Sequence, residues 1–461
     1  MKVIKIGGGC LKGKKTIESI LDLLASRVRG DIIVVSALNG ITDMLIDGME
    51  EALADEESIP PLMSRLRNRH ISTARHLISD PDQLKAFSKA FGKSLQRLER
   101  YYYGLSYTGE STPKMKDLIS SYGERFSAEL LTVAMTDRGV TSECRMPQNI
   151  GMLTDGKFGD ATANFEAIQA NFESHLRPLL DEGTVIFLPG FYGISDEGNI
   201  TTYGRGGTDY SAAVATVALG AEVLEFWKDV AGFLSADPRM VPQAELIPTL
   251  SYAEAAELCY FGAKILHPRA VEPVRRYGLD IAIKSTLDPD AKGSLITGES
   301  PEASHVIKSV TQSTDVGIVK VYASGMGARP GMLAEVTGTV TDRGINIKSV
   351  VTSQTCISLL LDKKDMEESF ACLQKLTPNP FRKVEREDDV ALIGMVGEGM
   401  NVNKGVAARC FSTMDEAGIN VEMIAFGPSP VALYFIVQEG DLKASVKALH
   451  DSFFPKSEHA S

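Results

Sequence analysis

The first thirty-five residues constrain the fold more than any other stretch of the chain. Val3–Ile6 is a short apolar run that ends on Gly7-Gly8-Gly9. Ile17, Ile20, Leu21, Leu24 and Val28 then recur at helical spacing, and Gly30 stands where such a helix would stop. Ile32–Val35 is a second apolar run, ending at Ser36. Strand, glycine loop, helix and strand in this order make a βαβ unit. Parallel strands need a crossover element lying on the sheet face, so the unit predicts a mainly parallel sheet sandwiched by helices. Val185–Leu188, Val223–Phe226 and Ile281–Ile283 are further strand candidates. From about 43 to 137 the chain is rich in Leu, Lys, Arg and Glu without β-branched runs, which predicts a helical insertion with solvated charged faces.

A second organisation starts near residue 300, and it repeats. Gly331-Met332-Leu333-Ala334 is followed by Gly344-Ile345-Asn346-Ile347, and Gly405-Val406-Ala407-Ala408 by Gly418-Ile419-Asn420-Val421, at a constant offset of 74 residues. Each copy reads as strand, loop, amphipathic helix, glycine stop and further strands such as Ile357–Leu361 and Ala432–Val437. Two small βαββ-type units are expected.

Gly7-Gly8-Gly9 lies at a strand end and opens toward a helix, where backbone N–H groups can approach phosphate, and Lys5 adds a point charge beside it. Neither familiar phosphate motif fits. GxGxxG from Gly7 meets Lys12 where glycine is needed, and a P-loop running from Gly8 to Gly13-Lys14 meets Lys15 where Ser or Thr should hold a metal. Charge makes the local lysine matter. With 60 acidic against 48 basic residues and a net charge of −12, any anion site must gather its own positive groups. The same balance argues against nucleic acid as a partner.

The densest chemistry is Thr201-Thr202-Tyr203-Gly204-Arg205-Gly206-Gly207-Thr208-Asp209-Tyr210-Ser211, leading into an Ala-rich helix over 212–219. A guanidinium fork, a hydroxyl and a carboxylate at a helix start suit an anionic ligand; capping alone would explain Thr208 and Asp209 but not Arg205. Downstream, Lys228-Asp229 and Asp237-Pro238-Arg239 follow a predicted strand end, where open α/β sheets bind ligands. Lys264 lies beside glycine in Phe261-Gly262-Ala263-Lys264-Ile265-Leu266-His267-Pro268, and His267 reads as a packed or loop histidine.

These pieces, in this order, resemble the amino-acid kinase family and, within it, the aspartate kinases. The likeness is carried by Tyr203–Tyr210 and Phe261–Pro268, with Ser36-Ala37, Gly40-Ile41-Thr42-Asp43, Gly123-Glu124-Arg125-Phe126-Ser127 and Asp237-Pro238-Arg239. The doubled unit resembles paired ACT domains. The resemblance implies an amino-acid kinase catalytic domain over 1–300 and ACT units over 315–375 and 388–455. It also implies transfer of the γ-phosphoryl group of ATP to the β-carboxylate of L-aspartate, as the first step toward lysine, threonine and methionine. By the same resemblance Lys5 and Asp209 are catalytic, and Thr42, Glu124, Arg205 and Thr208 hold aspartate. ATP would lie on Lys5, Gly7, Gly8, Gly9, Ser36, Lys228, Asp229, Leu234, Arg239 and Lys264, with Mg²⁺ carried on its phosphates. An amino-acid effector, threonine or lysine, would contact Met326, Asn346, Ile347 and Asn420, and the ACT units would pair into a homodimer or larger assembly.

Departures from the family pattern are Gly9 and Cys10 in place of a hydroxyl pair, Lys228 and Leu234 near the nucleotide, and Lys348 where an acidic residue commonly follows Asn-Ile. A non-catalytic amino-acid sensor could dispense with Lys5, Glu124, Arg205 and Asp209, yet all are present. Six scattered cysteines without a CxxC pair fit a reducing compartment. With Met1 running straight into a strand and no apolar run of membrane length, a cytoplasmic protein without membrane partners is expected.

Overall fold

The computed structural model describes residues 1–262, 265–298, 306–323, 329–378, 380–400, 403–427 and 429–454. The chain divides into two compact units, Met1–Phe233 with Pro248–Tyr252 and Lys264–Glu299, and Leu234–Ile247 with Ala253–Ala263 and Ser300–Ser461.

The first unit is built on an eight-stranded sheet, ordered Ser142–Cys144, Val185–Pro189, Ile32–Val35, Val3–Ile6, Val223–Lys228, Asp280–Ser285, Ser294–Thr297, Thr249–Ser251. Val3–Ile6 pairs in parallel with both Ile32–Val35 and Val223–Lys228. All four of its residues are buried, the pattern of a strand covered on both faces. Only the contact between Asp280–Ser285 and Ser294–Thr297 is antiparallel. The order of connection reverses at Val3–Ile6, which makes the carboxyl end of this strand the switch point of the sheet.

The helix after the glycine loop, Lys14–Ala25, buries Ile17, Ile20, Leu21 and Leu24, as the spacing predicts. It ends at Ala25, however, and Val28 is buried beyond it. Gly30 is needed for another reason. It sits at φ +63°, donates its N–H to Gly183 O at 3.1 Å, and has no room for a Cβ, which would stand 2.4 Å from Leu180 O.

Five helices occupy the predicted insertion: Ile41–Ala54, Ile59–Leu77, Pro81–Thr108, Pro113–Ser120 and Tyr122–Thr136. Phe87, Phe91, Leu95, Leu98, Tyr102 and Leu105 form the buried stripe of the longest, and the Tyr102 hydroxyl donates to Leu45 O at 2.7 Å. The Ala-rich helix runs over Gly207–Leu219, starting ahead of the expected 212, and every residue in it is buried. A small sheet of Leu153–Thr154, Tyr192–Ser195 and Ile200–Thr202 leads the chain into its start.

The second unit holds two four-stranded antiparallel sheets. One comprises Ile347–Thr352, Cys356–Asp362, Val316–Tyr322 and Lys383–Glu387; the other comprises Ser309–Ser313, Val390–Val396, Ala432–Gln438 and Met423–Phe426. The paired glycines have a backbone explanation. Gly331 and Gly405 are left-handed caps at φ +91° and +86°, opening Met332–Thr341 and Val406–Glu416, and Gly344 and Gly418 follow those helices at φ +72° and +68°. The repeat is larger than βαββ: Met366–Gln374 and Leu442–Phe453 add a second helix to each copy. Among the described residues no helix is long and apolar enough to cross a membrane.

Candidate active site

At the switch point the backbone leaves Ile6 through Gly7 into a short 3₁₀ turn over Gly8–Leu11. Gly7, Gly8 and Gly9 are not among the glycines at positive φ, so a left-handed turn is not what requires them. Space explains Gly7. A Cβ there would stand 3.3 Å from Lys5 Nζ and 3.7 Å from Lys228 Nζ, so two ammonium groups converge over bare backbone. The Asp229 carboxylate oxygens lie 4.0 Å from the corresponding point on Gly9. The Cys10 thiol is buried and donates to Trp227 O at 3.4 Å. Burial raises its pKa above the ordinary thiol value, so it acts as a packed neutral group and not as a stand-in hydroxyl.

Lys5 points from its strand to Asp209, with Nζ 2.5 Å from Oδ1, and both side chains are nearly buried. Asp209 does not cap its helix. Gly206, at φ +74°, holds the cap position and no side chain caps the end, which corrects the capping alternative for Thr208 and Asp209. The second oxygen of Asp209 instead accepts the His267 N–H at 3.0 Å. Burial works to raise the Asp209 pKa, but Lys5, Lys228 and the His267 N–H outweigh it and hold the carboxyl below its ordinary value. Burial, then repulsion from Lys5, lowers the Lys228 ammonium from the usual lysine value. His267 caps the next helix, Pro268–Arg276, through Nδ1, which accepts the Arg269 N–H at 3.3 Å.

Beside the cradle lies a cavity of 520 Å³ whose lining includes Lys5, Ser36, Thr42, Arg205, Thr208 and Asp209. Arg205 stands exposed between two left-handed glycines, Gly204 and Gly206, and has no ion-pair partner among the described residues. Thr42 is in the first turn of Ile41–Ala54. Glu124 is almost fully buried in Tyr122–Thr136, and its Oε2 has no hydrogen-bond partner among the described residues. Burial pushes the Glu124 carboxyl up to about 8, against backbone N–H groups and the Lys5 charge that favour ionisation. A buried carboxylate oxygen left open suits a ligand cation. The neighbouring Gly123 has no space for a side chain, since a Cβ would meet Ala37 Cβ at 2.8 Å and lie 3.6 Å from Thr42 Oγ1.

The wall opposite is equally close-packed. Phe191, at φ +77°, is the one non-glycine residue in the left-handed region among those described, and it lines the cavity. A Cβ on Gly190 would come within 2.5 Å of Thr208 Cγ2 and 3.1 Å of its Cα. Gly190→Ala is therefore expected to displace the helix start, costing about 1–3 kcal/mol of stability. A lowered urea midpoint, with activity lost in the same variant, would check it; an unchanged midpoint would refute the tight contact.

The remaining predicted residues are placed elsewhere. Leu234 and Arg239 belong to the second unit, where Leu234 bridges to Leu246 and Arg239 is 85% exposed and paired with Asp237 at 2.6 Å. Lys264 and Met326 lie outside the described residues. Asn346 and Asn420 are exposed just ahead of corresponding edge strands of the two sheets, with Ile347 opening the first. Lys348 is engaged with Asp362 at 3.0 Å and lies over the Tyr260 ring. Sequence reasoning missed Phe191, Asp117 and Arg269; their roles depend on contacts between distant segments, which spacing along the chain does not encode.

The pattern of the amino acid kinase family matches residues 1–285, and that of an ACT domain matches 319–376 and 393–453. Aspartokinase 1 of Arabidopsis thaliana (chloroplastic) is 29% identical over 98% of this chain and 80% of its own length. A bifunctional aspartokinase/homoserine dehydrogenase of Haemophilus influenzae is 28% identical over 98% of the chain, which spans 56% of that relative. The crystal structure of E. coli aspartokinase III with aspartate and ADP, an R-state, superposes with a TM-score of 0.81 at 28% identity, covering 98% of this chain and 100% of the other. The same enzyme with lysine and aspartate, a T-state, gives 0.84, covering 98% and 99%.

Proposed function

Since the chain belongs to the amino acid kinase family, we propose that it transfers the γ-phosphoryl group of ATP to the β-carboxylate of L-aspartate, giving 4-phospho-L-aspartate and ADP. The observation that carries this reading is the pairing of two sites. A cradle of Gly7, Lys5 and Lys228 adjoins a cavity holding Arg205, which has no ion-pair partner among the described residues, and the helix Tyr122–Thr136 carries Glu124, whose Oε2 is likewise without a hydrogen-bond partner among them. Arg205 takes the α-carboxylate of aspartate, assisted by Thr42 and Thr208, and Glu124 takes its ammonium. An acylated amino acid has no ammonium for Glu124, which disfavours such acceptors.

The acceptor carboxylate is ionised near neutral pH and needs no general base. One of its oxygens forms a bond to the γ-phosphorus as the bond from phosphorus to the β,γ-bridging oxygen breaks, and that oxygen leaves on ADP with the electron pair. The obstacle is charge, because one anion must approach another. Lys5 supplies positive charge at the transferring group, Asp209 holds the ammonium in place, and the bare backbone at Gly7–Gly9 admits the phosphates closely. Lys228, Asp229 and Ser36 complete the nucleotide side in the first unit, and Leu234, Arg239 and Lys264 are assigned to it by family likeness.

Among the described residues no three His, Cys, Asp or Glu side chains gather as a metal site. Asp209 is committed to Lys5 and Asp229 stands half-exposed near the cradle, a donor set that fits Mg²⁺ carried on the ATP phosphates. When bound, the ion neutralises phosphate charge.

Catalytic and ACT boundaries at 1–300, 315–375 and 388–455 go with this reading, as do a cytoplasmic setting and entry into lysine, threonine and methionine synthesis. The effector is an amino acid, threonine or lysine, read by the Asn346-Ile347 and Asn420 edges, and the ACT units pair copies of the chain. The test is hydroxamate trapping of the acyl phosphate with ATP and Mg²⁺. Aspartate is expected to give product and glutamate none; silence with aspartate would reject the assignment.

A further inference from the structure

Arg205 sits on a segment that belongs to no strand of the main sheet. Its neighbours Gly204 and Gly206, at φ +70° and +74°, give it little backbone stiffness of its own. Something outside that segment must hold the guanidinium where a substrate carboxylate can meet it. Two side chains, each from a different helix, hold the residues that precede Arg205 and the 159–161 loop against them.

Asp117, in the insertion helix Pro113–Ser120, is 4% exposed. Its Oδ2 accepts the Thr202 N–H at 2.7 Å and the Gly159 N–H at 2.9 Å, and its Oδ1 accepts the Thr202 hydroxyl at 2.8 Å. Thr202 and Gly159 both line the 520 Å³ cavity. Arg269, in Pro268–Arg276, grips the same two segments: Nη1 donates to Tyr203 O at 2.5 Å and to Asp160 Oδ1 at 2.9 Å, and Nη2 donates to Ala161 O at 2.6 Å. Its guanidinium lies 4.7 Å over the Tyr210 ring. Between the pins the segments bond to each other, Ala161 N–H to Thr202 O at 2.9 Å, and touch so closely that a Cβ on Gly204 would stand 2.6 Å from Gly159 O.

We propose that Asp117 and Arg269 are positioning residues for the acceptor site. By cross-pinning the 159–161 loop to Thr202-Tyr203 they fix the wall that carries Arg205, so that Asp117 makes the aspartate site depend on the helical insertion. This rests on the reading of Arg205 as the anchor of the substrate carboxylate. Charge-assisted hydrogen bonds are the strong, directional kind, and a carboxylate accepting two backbone N–H groups and a hydroxyl leaves both segments one arrangement. A misplacement of about 1 Å in such an anchor costs more in substrate handling than in fold stability.

The test is steady-state kinetics on the full chain. Asp117→Asn retains size, and its amide oxygen can still accept from the Thr202 and Gly159 N–H groups, but it removes the charge that strengthens all three bonds and presents an NH2 where Oδ1 accepts from the Thr202 hydroxyl. It is expected to raise KM for aspartate about tenfold or more, with KM for ATP within about twofold and the circular dichroism spectrum unchanged; tenfold corresponds to about 1.4 kcal/mol. Arg269→Lys, which keeps charge but cannot grip three oxygens, is expected to give the same split and decides the matter if Asp117→Asn fails to fold. An aspartate KM that stays within twofold, or that rises together with the ATP KM, overturns the proposal. Arg205→Ala separates the two levels. If it raises the aspartate KM and the pinning variants do not, the anchor stands and the pinning falls. If it leaves that KM unchanged, the anchor itself is wrong and the proposal goes with it.

Discussion

Lys5→Met is expected to lower kcat by about 10²–10³-fold while changing both KM values far less, because the charge it removes matters most as the phosphoryl group moves. Methionine nearly matches the lysine stem, so the buried space that the Lys5 side chain occupies stays filled. The ammonium it deletes is the one 2.5 Å from Asp209 and beside the bare backbone of Gly7. Lys228 remains nearby to balance part of the Asp209 charge, which should spare the fold. Thermal unfolding and single-turnover rates check both halves. A kcat within threefold of the parent would remove Lys5 from the chemistry.

Glu124→Gln is expected to raise KM for aspartate by about 30- to 100-fold at pH 8–9, the loss that follows when a buried charge partner is made neutral. The wild-type pH profile is the sharper measurement. With its carboxyl pushed up to about 8, Glu124 is mostly protonated at neutral pH in the free protein, and an incoming ammonium must displace that proton. KM for aspartate should therefore fall about tenfold per unit as pH rises from 6 toward 8, then level off. In the Gln variant this slope should vanish.

Stability supplies an independent arm with a definite sign. Glu124 binds its proton more tightly folded than unfolded, so its contribution is fully present below the ordinary glutamate range. It is lost as pH rises through about 8. Without ligands, Glu124→Gln should unfold at a higher temperature than the parent at pH 9, with the advantage shrinking at pH 5. A flat wild-type KM between pH 6 and 9 would mean that Glu124 does not meet the substrate ammonium.

Much of the first unit was legible because its signals are local. Val3–Ile6 and Ile32–Val35 are runs that only a doubly covered strand tolerates, and both are buried in full. The stripe Ile17, Ile20, Leu21 and Leu24 marked one helix face. The 74-residue offset revealed two related units because the same glycines answer the same backbone needs at φ above zero. Boundaries were less legible. Gly30 looked like a helix stop, but its conformation serves the approach of the 180–183 segment.

The sequence by itself determined which residue types lie in which element, and, through the resemblance of its motifs, the family to which the chain belongs. Hydrophobic periodicity and glycine placement act within a few residues and are written in order along the chain. Tertiary structure alone decided which charges meet. Lys5 reaches Asp209, Asp117 reaches Thr202, and Arg269 reaches Tyr203 across long stretches of chain. Tertiary structure also left the Glu124 Oε2 without a partner among the described residues, since burial and hydrogen-bond satisfaction are properties of packed space.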